Sequence, residues 1–294
     1  MPPNSVSVRV PATSANLGPG FDSLGLALDL WATITLTTNA APRDPDPLAR
    51  LALTAARALY QHLGRDAPPS LAVRYQGDIP AARGLGASAV ARVGGLVAAD
   101  ALAGGGLDRE ELLALAAGLE GHADNAAPAL FGGLQVTIRD GERFLHAGVA
   151  LPQGLKAVLF VPELRMPTRE SRRLLPPALS RADAVHNIGR AALLVAALAA
   201  GRFDLLDAAT RDRLHQPARA KLFPAMPAIF DAARAAGAHC AYLSGGGSTI
   251  CALATEKERA IATAMQDAAR QREVPGRTII TAPTERGAEI VEQA

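Results

Sequence analysis

Cysteine is nearly missing from this chain, which carries only Cys240 and Cys251 among its 294 residues. Two thiols make neither a disulfide framework nor a zinc site of their own. Both lie in apolar surroundings beside a glycine run, where buried, unreactive thiols are expected. Neither sign of charge prevails: 30 Lys and Arg meet 28 Asp and Glu, a formal net charge of +2. The basic stripe that meets phosphates in a nucleic-acid binder is therefore not expected. The longest uncharged apolar stretch lies between Arg190 and Arg202, short of the roughly 20 residues of a membrane span. Met1 to Arg9 has neither an apolar core nor an early basic cluster, so no signal peptide and a cytoplasmic location are expected. No internal repeat or low-complexity tract appears, because the 27 Gly and 21 Pro fall in short, scattered clusters.

What is present is a packed globular composition, 49% hydrophobic and 20% charged. At roughly 150 residues per domain, the length suits two domains or one large one. Ser5 to Val10 alternates polar and apolar and predicts a strand ended by Pro11; the second half of Leu24 to Thr38 predicts another. Ala40 to Pro47 reads as a surface loop, Leu48 to Leu63 as a helix stopped by Gly64, and Leu71 to Tyr75 as a short strand. A small-residue helix follows the glycines of Gly77 to Ala87, and Asp108 N-caps a helix to Glu120. Leu134 to Arg139 is a strand before an Asp140-Gly141 turn, and Lys156 to Val161 a strand stopped by Pro162. Helices are expected at about Ala182 to Ala200, Phe203 to Leu214, Pro227 to Ala236 and Glu256 to Glu273. Strands are expected at His239 to Ser244, Ile250 to Ala254 and Arg277 to Ala282. The second half thus approaches a split βαβ layer, and the boundary is placed near Pro152 to Lys156.

Four stretches carry chemistry. In Pro80-Ala81-Ala82-Arg83-Gly84-Leu85-Gly86-Ala87-Ser88-Ala89, glycines let backbone N–H groups approach an anion, and the following helix aims its positive end at the same spot. No Lys-Ser or Lys-Thr pair follows, so this is not a Walker loop. Pro11 to Asp22 is dense in Gly, Asn, Ser and Thr and reads as a loop presenting Asn16 and Asp22; a plain two-turn connection remains the alternative. Glu120-Gly121-His122-Ala123-Asp124-Asn125 crowds polar side chains between a helix end and the Gly132-Gly133 pair. Glu120 there suits Mg²⁺, which takes one or two carboxylates and keeps its waters, while His122 also fits a helix C-cap. Gly245-Gly246-Gly247 joins two strands where backbone passes close to a ligand or to the other domain.

In this order the four stretches resemble the homoserine kinases of the GHMP small-molecule kinase superfamily, over nearly the whole chain. The first and third in chain order, Pro11 to Asp22 and His122 to Ala129, separate that family from mevalonate kinases and galactokinases. The resemblance implies an α+β, two-domain GHMP kinase fold. Residues 1–153 would form an ATP-binding domain like domain 2 of ribosomal protein S5, and 154–294 a ferredoxin-like layer. It implies transfer of phosphate from ATP to L-homoserine with Mg²⁺, a step toward threonine. Pro80, Arg83, Gly84, Leu85, Gly86, Ala87, Ser88 and Ala89 would bind ATP, and Ser88 and Glu120 would hold the metal. Asp22 would hold the substrate ammonium with Asn16 and His122 beside it and Asp124 and Asn125 in the same wall. Thr168, Arg172 and Arg219 would take the carboxylate, and Gly245, Gly246 and Gly247 would lie near the substrate.

This sequence departs from the family at several points: Ala87 where a Ser is usual, Ala123 for a common Pro, and Gly246 and Ser248 in the last loop. No obvious general base is present. The resemblance leaves open a homodimer, another alcohol as substrate, or a non-catalytic ATP-binding member of the fold; no nucleic acid or membrane partner is expected.

Overall fold

The computed structural model describes residues 3–38 and 46–294. The loop expected at Ala40 to Pro47 lies outside them as far as residue 45. In chain order the first half holds β1 (Ser5–Ala15), β2 (Leu24–Thr38), α1 (Pro47–His62), β3 (Leu71–Gly77), α2 (Ala87–Leu102), α3 (Arg109–Glu120), α4 (Ala126–Phe131), β4 (Leu134–Asp140) and β5 (Arg143–Val149). The second holds β6 (Lys156–Pro162), α5 (Thr168–Arg173), α6 (Arg181–Ala199), α7 (Leu206–Ala209), α8 (Gln216–Arg219), α9 (Met226–Ala235), β7 (Cys240–Leu243), β8 (Ile250–Ala254), α10 (Glu258–Arg270), β9 (Gly276–Thr281) and β10 (Glu289–Gln293).

Among the described residues the strands form two sheets, one ordered β10-β1-β2-β4-β5 with β3 also on β2, the other β7-β8-β6-β9. Every pairing in both is antiparallel. Helices α1, α2 and α3 pack as a layer behind the first sheet, and α9 and α10 behind the second. This is the expected α+β architecture. The second sheet takes its strands from residues 156–281, and the first takes its own from residues 5–149 and from the C-terminus. There β10 returns to pair with β1, from Val6 opposite Gln293 to Arg9 opposite Glu289.

Local chemistry accounts for the elements that place the site. The Asp46 side chain accepts the amide of Ala49, and Pro47 opens α1. Small residues let α2 lie against α1: a Cβ on Gly95 would sit 2.3 Å from the carbonyl oxygen of Ala52. Asp108 and Glu111 form a capping box on α3, which ends at left-handed Gly121 just before His122.

Several expectations need correcting. β1 does not stop at Pro11 but runs to Ala15, with a register shift between Pro11 and Ala12 that accommodates the proline. The loop that presents Asn16 and Asp22 is therefore shorter than the motif. All of Leu24 to Thr38 is strand, because three neighbours pair with it along different stretches. The single helix expected at Phe203 to Leu214 is broken after Ala209. There the buried Asp212 carboxylate accepts the amides of Leu214, His215 and Gln216 and turns the chain into α8. Among the described helices, α6 alone has the length and composition of a membrane span. Its Asn187 nonetheless donates to Asp212 at 2.7 Å, in the wall behind α8. Cys240 and Cys251 are both buried, and burial pushes their thiols well above the ordinary range.

Candidate active site

A cleft of about 320 Å³ is lined by loops and helices from both halves of the chain, with Asn16 and Asp22 following β1 and Gly245 and Gly246 following β7. One half is built from backbone. Gly84 and Gly86 are left-handed, at φ 75° and 66°, immediately before α2. Side chains have no room there: a Cβ on Gly84 would lie 2.1 Å from the carbonyl oxygen of Ser244, and one on Gly86 1.9 Å from Thr13 Oγ1. Gly86 is the N-cap of α2 and supplies no side-chain cap. The first-turn N–H groups therefore face the cleft, as an anion requires. At the floor, Ser88 Oγ donates to Glu120 Oε2 at 3.2 Å, and Arg92 pairs with the other carboxylate oxygen. A hydroxyl and a carboxylate side by side are hard oxygen donors of the kind Mg²⁺ takes. Among the described residues no group of three or more His, Cys, Asp or Glu could hold a metal by itself. Pro47, Leu48 and Leu51 form an apolar wall beside this half.

The other half is built from charged side chains. Asp22, left-handed at φ 56°, receives both Nη atoms of Arg172, at 2.8 and 2.5 Å. Its amide donates to Asn16 Oδ1 at 3.0 Å, while Asn16 Nδ2 donates to the carbonyl of Gly245 at 2.8 Å. Arg219 is only 1% exposed, yet no carboxylate pairs with it among the described residues. Its Nη1 donates to His215 Nδ1 at 2.8 Å and to the carbonyl of Gly245 at 3.0 Å, and its Nε meets no partner. Burial, with the nearby Arg172 charge, brings the Arg219 guanidinium down to about 10. His215 Nε2–H donates to the carbonyl of Gly18 at 2.7 Å, so Nδ1 is the acceptor. Its complete burial depresses its pKa to about 4, against the pull of Asp212 and with the help of Arg219. The Phe21 ring lies 5.1 Å from the guanidinium carbon of Arg172 and 5.4 Å from that of Arg219. Opposite, His122 Nδ1 meets Asp124 Oδ1 at 2.6 Å. Burial works against its charge, but the Asp124 hydrogen bond and carboxylate outweigh that and raise its pKa. Asn125 Nδ2 also donates to Asp124, and Thr13 donates to Asn125 Oδ1 at 2.7 Å, tying this wall to the glycine half.

Residues 50–133 match the GHMP kinases N terminal domain and residues 194–271 the GHMP kinases C terminal domain. The chain is 42% identical to homoserine kinase of Moorella thermoacetica, across 97% of this chain and 99% of that one. It is 48% identical to the Symbiobacterium thermophilum homoserine kinase across 74% of each. The chain belongs to the homoserine kinase family. A crystal structure of homoserine kinase from Cytophaga hutchinsonii superposes at a TM-score of 0.88, with 26% identity over 98% of both chains. The R-mevalonate complex of L. major mevalonate kinase, 18% identical at a TM-score of 0.67, shares the fold.

Among the residues that the family resemblance named, Asn16, Asp22, His122, Asp124, Asn125, Arg172, Arg219, Gly245 and Gly246 line the cleft, as do Arg83 to Ser88 and Glu120. Pro80 and Gly247 do not line it, and Ala89 is fully buried beneath the loop. The side chain of Thr168 lies outside the described residues; its backbone opens α5. Arg83 lines the cleft but spends its guanidinium elsewhere, donating to the carbonyls of Pro162 at 2.7 Å, Glu163 at 2.7 Å and Ala81 at 3.2 Å. It holds the loop onto the second sheet. Sequence reasoning passed over Phe21, Arg92 and His215. Phe21 stood inside a quoted motif, and His215 four residues before Arg219 carried an i, i+4 signal. Nothing in the sequence marked Arg92 as the partner of Glu120.

Proposed function

We propose that this protein moves the γ-phosphoryl group of ATP to the side-chain hydroxyl of L-homoserine, giving O-phospho-L-homoserine on the way to threonine. One observation carries the reading most: a buried arginine without an acid of its own lines one cleft with an acid, a second arginine and a glycine-built loop that suits an anion. A buried guanidinium with only neutral partners is costly unless an anion joins it. A substrate carboxylate supplies that anion, and Asp22 supplies a partner for the α-ammonium. A neutral sugar has no use for this set, and mevalonate, a carboxylate without an ammonium, has none for Asp22.

In this reading the triphosphate lies on the N–H groups from Gly84 to Ala89, with the adenine against Pro47, Leu48 and Leu51. Ser88 and Glu120 would hold Mg²⁺, which when bound neutralises charge on the phosphates. With substrate bound Asp22 holds the α-ammonium, and Asp124 is engaged by His122 and Asn125, so neither carboxylate is free as a general base. The hydroxyl therefore attacks in line and loses its proton late, to phosphate or water. Alignment supplies most of the rate, as is usual when the transferring group needs little covalent help. An acid limb in the pH dependence of kcat, with rate lost as a carboxylate takes up a proton, that vanishes in Asp22→Asn would contradict this.

The deciding experiment is a coupled ADP-release assay with L-homoserine beside L-serine, L-threonine and mevalonate. Stimulation by homoserine alone is expected; a different stimulated alcohol, or ATP binding without turnover, would replace the proposal. Glu120→Gln should raise the Mg²⁺ concentration needed for half-maximal rate, and an unchanged requirement would remove Glu120 from the metal shell. A cytoplasmic location belongs to the same proposal, since ATP is the donor. So does a homodimer, supported by Val185 and Ile188 standing 63% and 69% exposed on α6. Light scattering that gives the single-chain mass of 30.3 kDa would remove it.

A further inference from the structure

The two arginines of the charged half are in unlike states. Arg219 is buried and waits on neutral partners, His215 and a carbonyl. Arg172 is about a third exposed and already neutralised, both its Nη atoms lying on Asp22. Asp22 is the fixed member of that pair. Its backbone is left-handed, its amide is tied to Asn16, and Asn16 is tied to Gly245. Arg172 is the mobile member, a long side chain on the six-residue α5. The same Phe21 ring flanks both guanidinium groups, within 5.1 and 5.4 Å, so both forks reach one small ligand.

We propose that the Asp22–Arg172 pair holds the place of the substrate and is opened by its two charges together. The incoming ammonium takes Asp22, and the released Arg172 joins Arg219 on the carboxylate. This rests on the amino-acid reading given above. No bond is made or broken in the exchange: one ion pair inside the protein becomes two between protein and ligand. The device selects for zwitterions. An acid without the ammonium leaves the pair closed and finds Arg219 alone. An amine without the carboxylate strips Asp22 and leaves two guanidinium groups facing each other with no counter-charge. Selection thus comes from what the wrong ligand leaves unpaired as much as from what the right one gains.

The exchange makes a prediction of unusual sign. Titration calorimetry with a saturating non-hydrolysable ATP analogue compares L-homoserine with 4-hydroxybutanoate, which lacks the ammonium. In Asp22→Asn, a change that the left-handed backbone tolerates, homoserine should bind about tenfold or more weakly. 4-Hydroxybutanoate should bind about tenfold more tightly than to the unaltered protein, because Arg172 is then free, the scale of one charge-assisted contact. In Arg172→Met, homoserine should weaken, and in the double change Asp22→Asn with Arg172→Met the tightening of 4-hydroxybutanoate should be lost. If 4-hydroxybutanoate fails to tighten on Asp22→Asn, or tightens equally in the double change, the exchange is wrong although the substrate assignment stands. If homoserine fails to bind the unaltered protein, the functional reading itself falls.

Discussion

In the proposed reading the two halves of the cleft meet anions by opposite means. Its phosphate half would use main-chain N–H groups held by left-handed glycines, so that specificity lies in where side chains are excluded. Its amino-acid half would use charged side chains whose forks are held by a ring, a neutral histidine and a carbonyl. A backbone site tolerates changes in side-chain chemistry but no added volume. A side-chain site tolerates small shifts in shape but no loss of charge.

The sharpest way to break this contrast is Arg219→Met. Removing the buried fork should weaken homoserine binding on the order of 100-fold, two charge-assisted hydrogen bonds' worth, with the KM for ATP unchanged. Steady-state kinetics with each substrate varied would show it, and a shift in the ATP KM instead would merge the two halves. Next comes Gly86→Ala. The new methyl meets Thr13 Oγ1 and must hold a left-handed backbone, at about 1–3 kcal/mol of strain. The ATP KM should rise by about tenfold or more with the homoserine KM little changed, and equal effects on both would say the loop serves the whole cleft.

The third test concerns His215. Unfolded, it takes a proton near its ordinary value of 6.5; folded, it refuses one until about 4. Stability should therefore fall as pH drops from 6.5 to 4. His215→Asn should flatten that limb in denaturant melts at pH 7, 5.5 and 4.5. His122 has the opposite sign: its raised pKa gives stability fully present below 6.5 and lost as pH rises through the folded value. That loss lies outside the acid window, in which His186 and His239, both lowered by burial, add losses of the same sign that remain in His215→Asn. An acid limb unchanged in His215→Asn would mean that His215 is not what sets it. The smallest effect is expected from Ala87→Ser. Restoring the usual hydroxyl adds no main-chain donor, so the ATP KM should move less than about threefold, a fraction of one hydrogen bond. A larger gain would show that side chains count in the phosphate half after all.

Much of the charged half was legible because it is written in residue types: Asp22, His122, Asp124, Arg172 and Arg219 stand out as chemistry in any context. The glycines of the phosphate loop were legible through their spacing before a small-residue helix. What escaped depends on contacts across long separations. That Arg83 faces the carbonyls of Pro162 and Glu163, and not a phosphate, follows from where β6 ends, which no local pattern records. The return of β10 to β1 joins residues almost 290 apart. The break after Ala209 was hidden because Leu, Asp and Ala at that point suit a helix, while the competing attraction lies in one buried carboxylate.

The phosphate loop is fastened to the second sheet at four places besides Arg83's side chain. Ser244 Oγ donates to the carbonyl of Gly84, Thr249 N to that of Arg83 and Met166 N to that of Ala82, while Gly84 packs on Ser244 with no space for a side chain. A hinge between the sheets would have to tear this strap. Heat should therefore melt both halves in a single step, and a nucleotide gripped by one should raise the melting temperature of the other.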